Sequence, residues 1–476
     1  MQKFYKWILS LLLIMTISGC HKDEMTDSTT NNNSVNKWIY SEMKSNYLWL
    51  DELKKFSSYD VSLKPESFFN SLISSNEKKE RNDKEYWYSY IESSEDETSV
   101  TKSSGSYTDQ YGIEFILYAI NNSSSAYYAR VLYVIPGSPA EQAGLKRGMW
   151  ILKIDNQPIT LANYTLLNKG KGMKLAVYSG TSVSTMHSNQ IIEVGSSRYF
   201  DENPILKDTI LKFPEANVGY LAYTHFKTGP DGFDDKSYEE ELKQLFSKFK
   251  NENVNHFILD LRYNPGGYLS TSVLLASLLV KEEYFVNFGE YSNVFCRIRY
   301  NPKKDSQPKS FTFDTSVIAY NLNLSDLIIL TGGWTASASE AVINGLKPLS
   351  KMNVTLIGSK TEGKNLGSEE FVSDDKKWTM HPIVAKIYNQ KDESDYGNGF
   401  CPDGENLYDE LESSHEFGEL GSLNDYPIQL AVERMGIRRS SQQIRAPQIK
   451  GVEEKLNYFK AYSSLNSQMT HSVWLK

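Results

Sequence analysis

The sequence predicts a multidomain α/β protein, and three features of it carry that expectation. Its 476 residues exceed one ordinary domain. From about residue 205 to residue 435, short apolar strands alternate with helices, the mark of a largely parallel sheet covered on both faces. Ahead of that region, residues 105–196 read as period-two strands closed by Gly, Pro and Asn turns, and residues 35–95 carry aromatic residues at helical spacing. The predicted order is therefore a helical N-terminal domain, a β domain and an α/β core. A hydrophobic share of 40% against 23% charged residues excludes a disordered chain.

Residues 1–19 read as an export signal. Lys3 and Lys6 precede the apolar run Trp7–Ile17, which is too short for the ~20 residues that span a bilayer. The run ends in "ISGC", which resembles a bacterial lipobox. That resemblance implies that Cys20 becomes the lipidated first residue, so the chain would meet a membrane through a lipid anchor while its body stays in water. Residues 20–34 are a polar tether with almost nothing to bury. Within it "KDE" resembles the surface-export tag of Bacteroidetes lipoproteins. The expected location is the bacterial cell envelope, anchored to the outer membrane and facing periplasm or cell surface.

The formal net charge is −8, and removal of residues 1–19 takes away two further lysines. No basic tract is present, which excludes nucleic acid as a partner. Beyond Cys20 only Cys296 and Cys401 remain, too few for a disulfide framework; a bridge and two free thiols both stay open. The seven His are scattered and form no Cys/His cluster with metal-site spacing, so no metal or other cofactor is expected.

In residues 35–95, Trp38, Ile39, Met43, Tyr47 and Leu48 recur at helical spacing. A charged, Ser-rich connector follows and contains Ser99-Val100-Thr101-Lys102. This formal S-x-x-K is not read as a serine–lysine pair, since that chemistry needs a helix turn buried in a cleft.

From Tyr111 to about Val194 the text is "YGIEFILYAI", which alternates, then "AYYARVLYVIPGSPAEQAGLKRGMWILKIDNQPI". Here a turn leads into a short helix, and a strand is closed by Asp155-Asn156. The ordered signature "PGSPAEQAGLKRG" followed by "ILKI" resembles a PDZ domain, departing by Met149 where Asp is usual. The resemblance implies that peptide tails bind as an added strand, with backbone N–H groups taking the terminal carboxylate. Tyr111, Gly112 and Ile113 would form that carboxylate loop.

In the α/β region three strand ends carry chemistry. "DLRYNPGG" brings Gly266 and Gly267, whose backbone can approach a ligand closely. "TGGWTASASE" brings hydroxyls to a helix N-terminus, where free N–H groups favour a developing oxyanion. "GSKTEGKN" brings Lys364 in a Gly-flanked turn. A serine, a lysine and two oxyanion donors suffice for acyl transfer without histidine.

These motifs in this order, behind a PDZ-like domain, resemble the carboxyl-terminal processing peptidases, or tail-specific proteases, from about Tyr111 to Asp425. The resemblance implies a catalytic core of the ClpP/crotonase-like type, Ser337 as nucleophile and Lys364 as general base. Thr335 and Ser339 are the neighbouring hydroxyls that could replace Ser337. Lysine is a base only when neutral, so its pKa must fall from ~10.4 to about 7–8, a shift of about 4 kcal/mol that burial must supply. The oxyanion would lie between the amide of Ala338 and one of Gly266 and Gly267, with Gly266 favoured. Ser368 stands where the family often has a lysine-orienting glutamine. Glu340 and Arg262 read as capping or pairing residues. Residues 436–476 form an extension with no legible chemistry.

The implied function is a lipid-anchored serine endopeptidase that recognises flexible C-terminal tails of exported proteins and cleaves them with a Ser–Lys dyad. Its rivals are a catalytically silent lipoprotein that binds tails, and a hydrolase of small acyl esters or cell-wall peptides.

Overall fold

The computed structural model describes residues 24–437 apart from 82–83, 95–108, 121–124, 181–185, 289–291, 305–308 and 414–415, together with 459–465 and 475. The export signal, Cys20 and the Ser99–Lys102 motif lie outside the described residues.

The N-terminal part opens with α1 (Glu24–Asn46), which starts inside the segment expected to be a polar tether. Val35, Ile39, Met43 and Tyr47, four apart and so on one helix face, are buried against Phe68 and Phe69 of α2 (Pro65–Ser71). This part is not wholly helical as expected. It ends in a hairpin of β1 (Lys79–Arg81) and β2 (Lys84–Tyr86), then β3 (Tyr90–Ser93). The partner of β3 comes from near residue 380 and was invisible to local pattern.

The second part is an antiparallel sheet of β4 (Ile113–Ala119), β5 (Tyr127–Val134), β6 (Trp150–Ile154), β8 (Met173–Tyr178) and β9 (Gln190–Val194), with the short β7 (Gln157–Pro158) beside β6. Asp155 and Asn156 take φ +46° and +63°, the tight hairpin turn their types allow. Ser138 caps the one-turn α3 (Pro139–Gln142) by accepting the Glu141 amide at 3.2 Å. The expected in/out alternation of β4 is absent, because six of its residues are buried on both faces. Phe115 and Leu117 face this sheet's own core, while Ile116 and Tyr118 pack against the third part.

The third part centres on a five-stranded sheet in the order β10 (Ile205–Lys212), β11 (Asn217–Tyr223), β12 (His256–Asp260), β15 (Asp326–Thr331), β16 (Asn353–Gly358). All but the edge strand β10 are parallel. Leu221, Phe257, Leu259, Leu327 and Ile329 point to one face, under α4 (Ser237–Asn251), α5 (Leu269–Leu279) and α6 (Ala338–Leu346). Val218, Tyr220, Ile258, Ile328 and Leu330 point to the other, under the β4 sheet and α7 (Tyr426–Arg434). Each such side chain contributes about 1.5–3 kcal/mol by burial, so the second part is bonded to the third through a shared core.

The five-stranded sheet is the largely parallel one expected from the sequence, and two further sheets stand beside it. A separate antiparallel sheet runs in the order β14 (Lys309–Thr312), β13 (Val294–Tyr300), β20 (Ile383–Tyr388), β17 (Leu366–Ser368). A third sheet joins β18 (Phe371–Val372), β19 (Trp378–His381) and β3. The C-terminal extension also has a place in the fold: β21 (Phe459–Ser463) pairs with β4. Cys296 is buried, Cys401 is exposed, and the two are not bridged.

Candidate active site

The parallel register of β12, β15 and β16 sets Asp260 beside Leu330 and Thr331 beside Gly358, so the turns after the three strands emerge together. Those turns carry the glycine pair, Ser337 and Lys364.

Ser337 precedes α6 with φ +64° and ψ −114° and is fully buried. A non-glycine residue there stores roughly 1–3 kcal/mol of strain, and it is held by its neighbours. A Cβ on Gly266 would come within 2.8 Å of both Cβ and Oγ of Ser337, so only glycine fits opposite the serine. The hydroxyls of Thr335 and Ser339 bond carbonyls of the neighbouring turn. Thr335 Oγ1 donates to the Leu261 carbonyl at 2.7 Å, and Ser339 Oγ donates to the Asn264 carbonyl at 3.0 Å.

Of the glycine pair, Gly266 gives its amide to Asn264 Oδ1 at 2.8 Å. That bond draws it away from the oxyanion role for which it was favoured. Gly267, at φ +143°, lies against the Phe226 carbonyl as a one-residue parallel bridge. Among the described residues, no hydrogen bond uses the amide of Gly267 or that of Ala338.

Glu340 joins the serine and lysine turns. Its fully buried carboxylate accepts the amide of Ser337 at 3.0 Å and that of Lys364 at 2.7 Å on Oε2. On Oε1 it accepts the amide of Gly363 at 2.7 Å and the hydroxyl of Thr361 at 2.6 Å. Burial pushes this carboxyl up, while the four donors favour its charged form.

Lys364 is 1% exposed. Burial brings its pKa down to about 7, against the smaller opposing pull of Glu77 and Glu340. Its Nζ sits 4.6 Å from the ring centroid of Tyr88. Glu77 accepts the hydroxyls of Tyr47 (2.7 Å) and Ser89 (2.9 Å) and the amides of Tyr88 (2.9 Å) and Ser89. The Tyr88 hydroxyl donates to Glu362 at 3.0 Å. The N-terminal part thus walls the lysine. Sequence reasoning missed Glu77 and Tyr88; the aromatic run "EYWYSY" was the one hint.

Ser368 lies buried on β17, four residues beyond the lysine, with its carbonyl accepting the Leu475 amide at 3.3 Å. Tyr111, Gly112 and Ile113 lead into β4 and are all buried. Tyr111 donates its hydroxyl to the Lys171 carbonyl, and Gly112 takes φ +80° where a Cβ would meet Ser138.

Arg262 extends the site to the β4 sheet. It bonds Asp260, Asp425 and Glu410, each with a contact at 2.6 Å. Arg147, on the turn after α3, reaches Glu410 at 2.8 Å. Burial acts upward on Glu410, but the two guanidinium charges outweigh it and hold the carboxyl down at about 2.

Comparison with known proteins follows this division of the chain. The model of peptidase family S41 matches residues 217–405, that of the peptidase S41 N-terminal domain matches 34–90, and that of the PDZ domain matches 130–166. The chain is 26% identical over 254 residues to a carboxyl-terminal-processing protease of Picosynechococcus sp., covering 52% of this chain and 53% of the relative. It is 26% identical over 323 residues to that of Synechocystis sp., covering 66% of each. The chain therefore spans about half to two thirds of the length of these curated relatives. A crystal structure of an S41 protease from Bacteroides fragilis superimposes with a TM-score of 0.72 at 31% identity, over 84% of this chain and 97% of that one.

Proposed function

From the premise that this chain belongs to peptidase family S41, we propose that it is a serine endopeptidase with Ser337 as nucleophile and Lys364 as general base. The observation that carries this reading is Lys364 itself: a lysine at 1% exposure, with a pKa near 7, whose backbone shares a carboxylate oxygen with the backbone of Ser337.

In the reaction, neutral Lys364 Nζ takes the hydroxyl proton of Ser337 as Oγ bonds to the scissile carbonyl carbon. The carbonyl π pair moves to oxygen, where the amides of Gly267 and Ala338 are the donors left for it. Collapse breaks the C–N bond, and the lysinium returns its proton to the leaving amine. Water then repeats the sequence on the acyl-enzyme, with Lys364 again accepting the proton. Glu340 holds the two turns in register, and Ser368 stands on the strand that follows the lysine.

The substrates in this reading are exported proteins with flexible C-terminal tails, which add to β4 with their carboxylate toward Tyr111, Gly112 and Ile113. Cys20 carries a lipid that keeps the enzyme at the outer membrane of the cell envelope. The test is to incubate residues 21–476 with an unstructured protein of apolar C-terminus, beside Ser337→Ala and Lys364→Ala. Cleavage by the parent alone supports the dyad. Equal cleavage by all three forms refutes it, and tail binding without cleavage by any form favours the silent binding protein.

A further inference from the structure

A peptide adds to a sheet only at an edge whose N–H and C=O groups are unpaired. In this fold β4 has no such edge from Phe115 to Ala119. One side is paired with β5, and the other with β21. The occupant is the segment "FKAYSSL" of residues 459–465. It runs antiparallel, with Phe459 opposite Ala119 and Ser463 opposite Ile116, and so travels toward the Tyr111–Ile113 loop. A tail with its carboxylate at that loop would have the same polarity on the same strand.

We propose that residues 459–465 are a resident ligand of the tail-recognition strand, which a substrate tail must displace before it can bind. The inference rests on the reading that tails add to β4, and it supplies a regulation for that site. The contact is specific. The Ser464 amide donates to the Phe115 carbonyl at 3.1 Å, and the Phe115 amide donates to Ser464 Oγ at 2.9 Å. Leu465 is fully buried in the cluster that holds Ile116, Tyr118 and Trp150.

The contact is also built to yield. Its register shifts between Lys460 and Tyr462, and at Phe115 a side-chain hydroxyl replaces the carbonyl that a regular ladder would offer. The chain continues past Leu465, so no carboxylate reaches the loop from this segment. An incoming tail end has that one interaction more than the resident.

A second contact lies beside the lysine. Leu475 is 4% exposed, and its amide donates to the Ser368 carbonyl on β17, the outer strand of its sheet. A Cβ on Gly367 would come within 2.4 Å of Leu475 Cδ2, so glycine is what admits the leucine. Residues 459–465 therefore lie along the edge of β4, and Leu475 meets the edge of the strand that follows Lys364.

The test compares the full chain with its Ser464→Pro variant, which loses the donor to Phe115, and with a form lacking residues 459–465. Binding of a fluorescein-labelled unstructured peptide with an apolar C-terminus is read by anisotropy. Because apparent affinity scales with the fraction of molecules whose edge is open, both altered forms should bind about tenfold or more tightly than the full chain. A free "FKAYSSL" peptide should compete in both. Equal affinity in all three forms overturns the inference and leaves tail recognition standing. No binding in any form overturns tail recognition, and the inference with it.

Discussion

The backbone amide of Lys364 donates to Glu340 Oε2 at 2.7 Å, and the same oxygen accepts the backbone amide of Ser337 at 3.0 Å. One buried atom therefore fixes the separation of the two turns that carry the proposed nucleophile and base. Neither contact involves the reacting side chains, so Glu340 acts as a positioning residue.

Glu340→Gln tests that role. The amide NH₂ cannot accept, so donors now shared by the carboxylate face a donor instead, at roughly 1–3 kcal/mol for each one left unpaired. The variant should melt lower by thermal denaturation and lose about a hundredfold or more in kcat, with KM for a peptide substrate nearly unchanged. Glu340→Asp, which keeps the acceptor, should recover part of that loss.

Gly266→Ala places a methyl 2.8 Å from Ser337 Oγ on a backbone at φ +111°. The serine has no room to give way, since Ala336 and Ser339 on either side are bonded to the Asn264 carbonyl. Acylation of Ser337 by a fluorophosphonate, followed by intact mass, should fall by about three orders of magnitude, and stability by about 1–3 kcal/mol. Acylation at the parental rate would remove Gly266 from the account.

Tyr88→Ala opens the wall over Lys364. Burial is the main cause of the low lysine pKa, so admitting water should raise it by about one unit or more. The acid limb of the kcat/KM profile should move up in pH by the same amount. An unmoved limb would mean that Tyr88 only packs.

Acid should unfold the protein through the Arg262 cluster. Glu410 has its folded pKa held down at about 2, so the stabilisation it confers is complete above the ordinary carboxylate value near 4.5. It is lost as pH falls from there toward 2. Circular dichroism melts should show a steep loss in that window. Arg147→Ala removes one of the two guanidinium partners and leaves buried carboxylates under-paired, which should cost about 3–5 kcal/mol even at neutral pH.

The turns that carry the proposed nucleophile and base were legible in the sequence because each is local. "TASASE", "PGG" and "TEGK" each lie within a few residues, and parallel strands bring such turns together without help from other elements. Glu340 and Arg262 read as capping and pairing residues, and both make such contacts. What stayed hidden depends on pairing between distant segments. Glu77 and Tyr88 reach Lys364 from nearly three hundred residues away, and no period or motif announces that meeting. The loss of alternation in β4 has the same origin, since its outward face meets a separate sheet. The strand at 459–463 was unreadable because edge pairing uses backbone groups, which every sequence has.

The most direct test of a buried, neutral Lys364 activating Ser337 is the single-turnover acylation rate of Ser337 as a function of pH. Lys364 has its folded pKa below the unfolded value of 10.5. Between those limits the unfolded chain holds more protons, and the fold favours the neutral amine. The rate should rise about tenfold per unit at low pH, bend at about pH 7 and then stay level, and Lys364→Ala should abolish it at every pH. A bend near 10, or a rate that survives Lys364→Ala, would contradict the account.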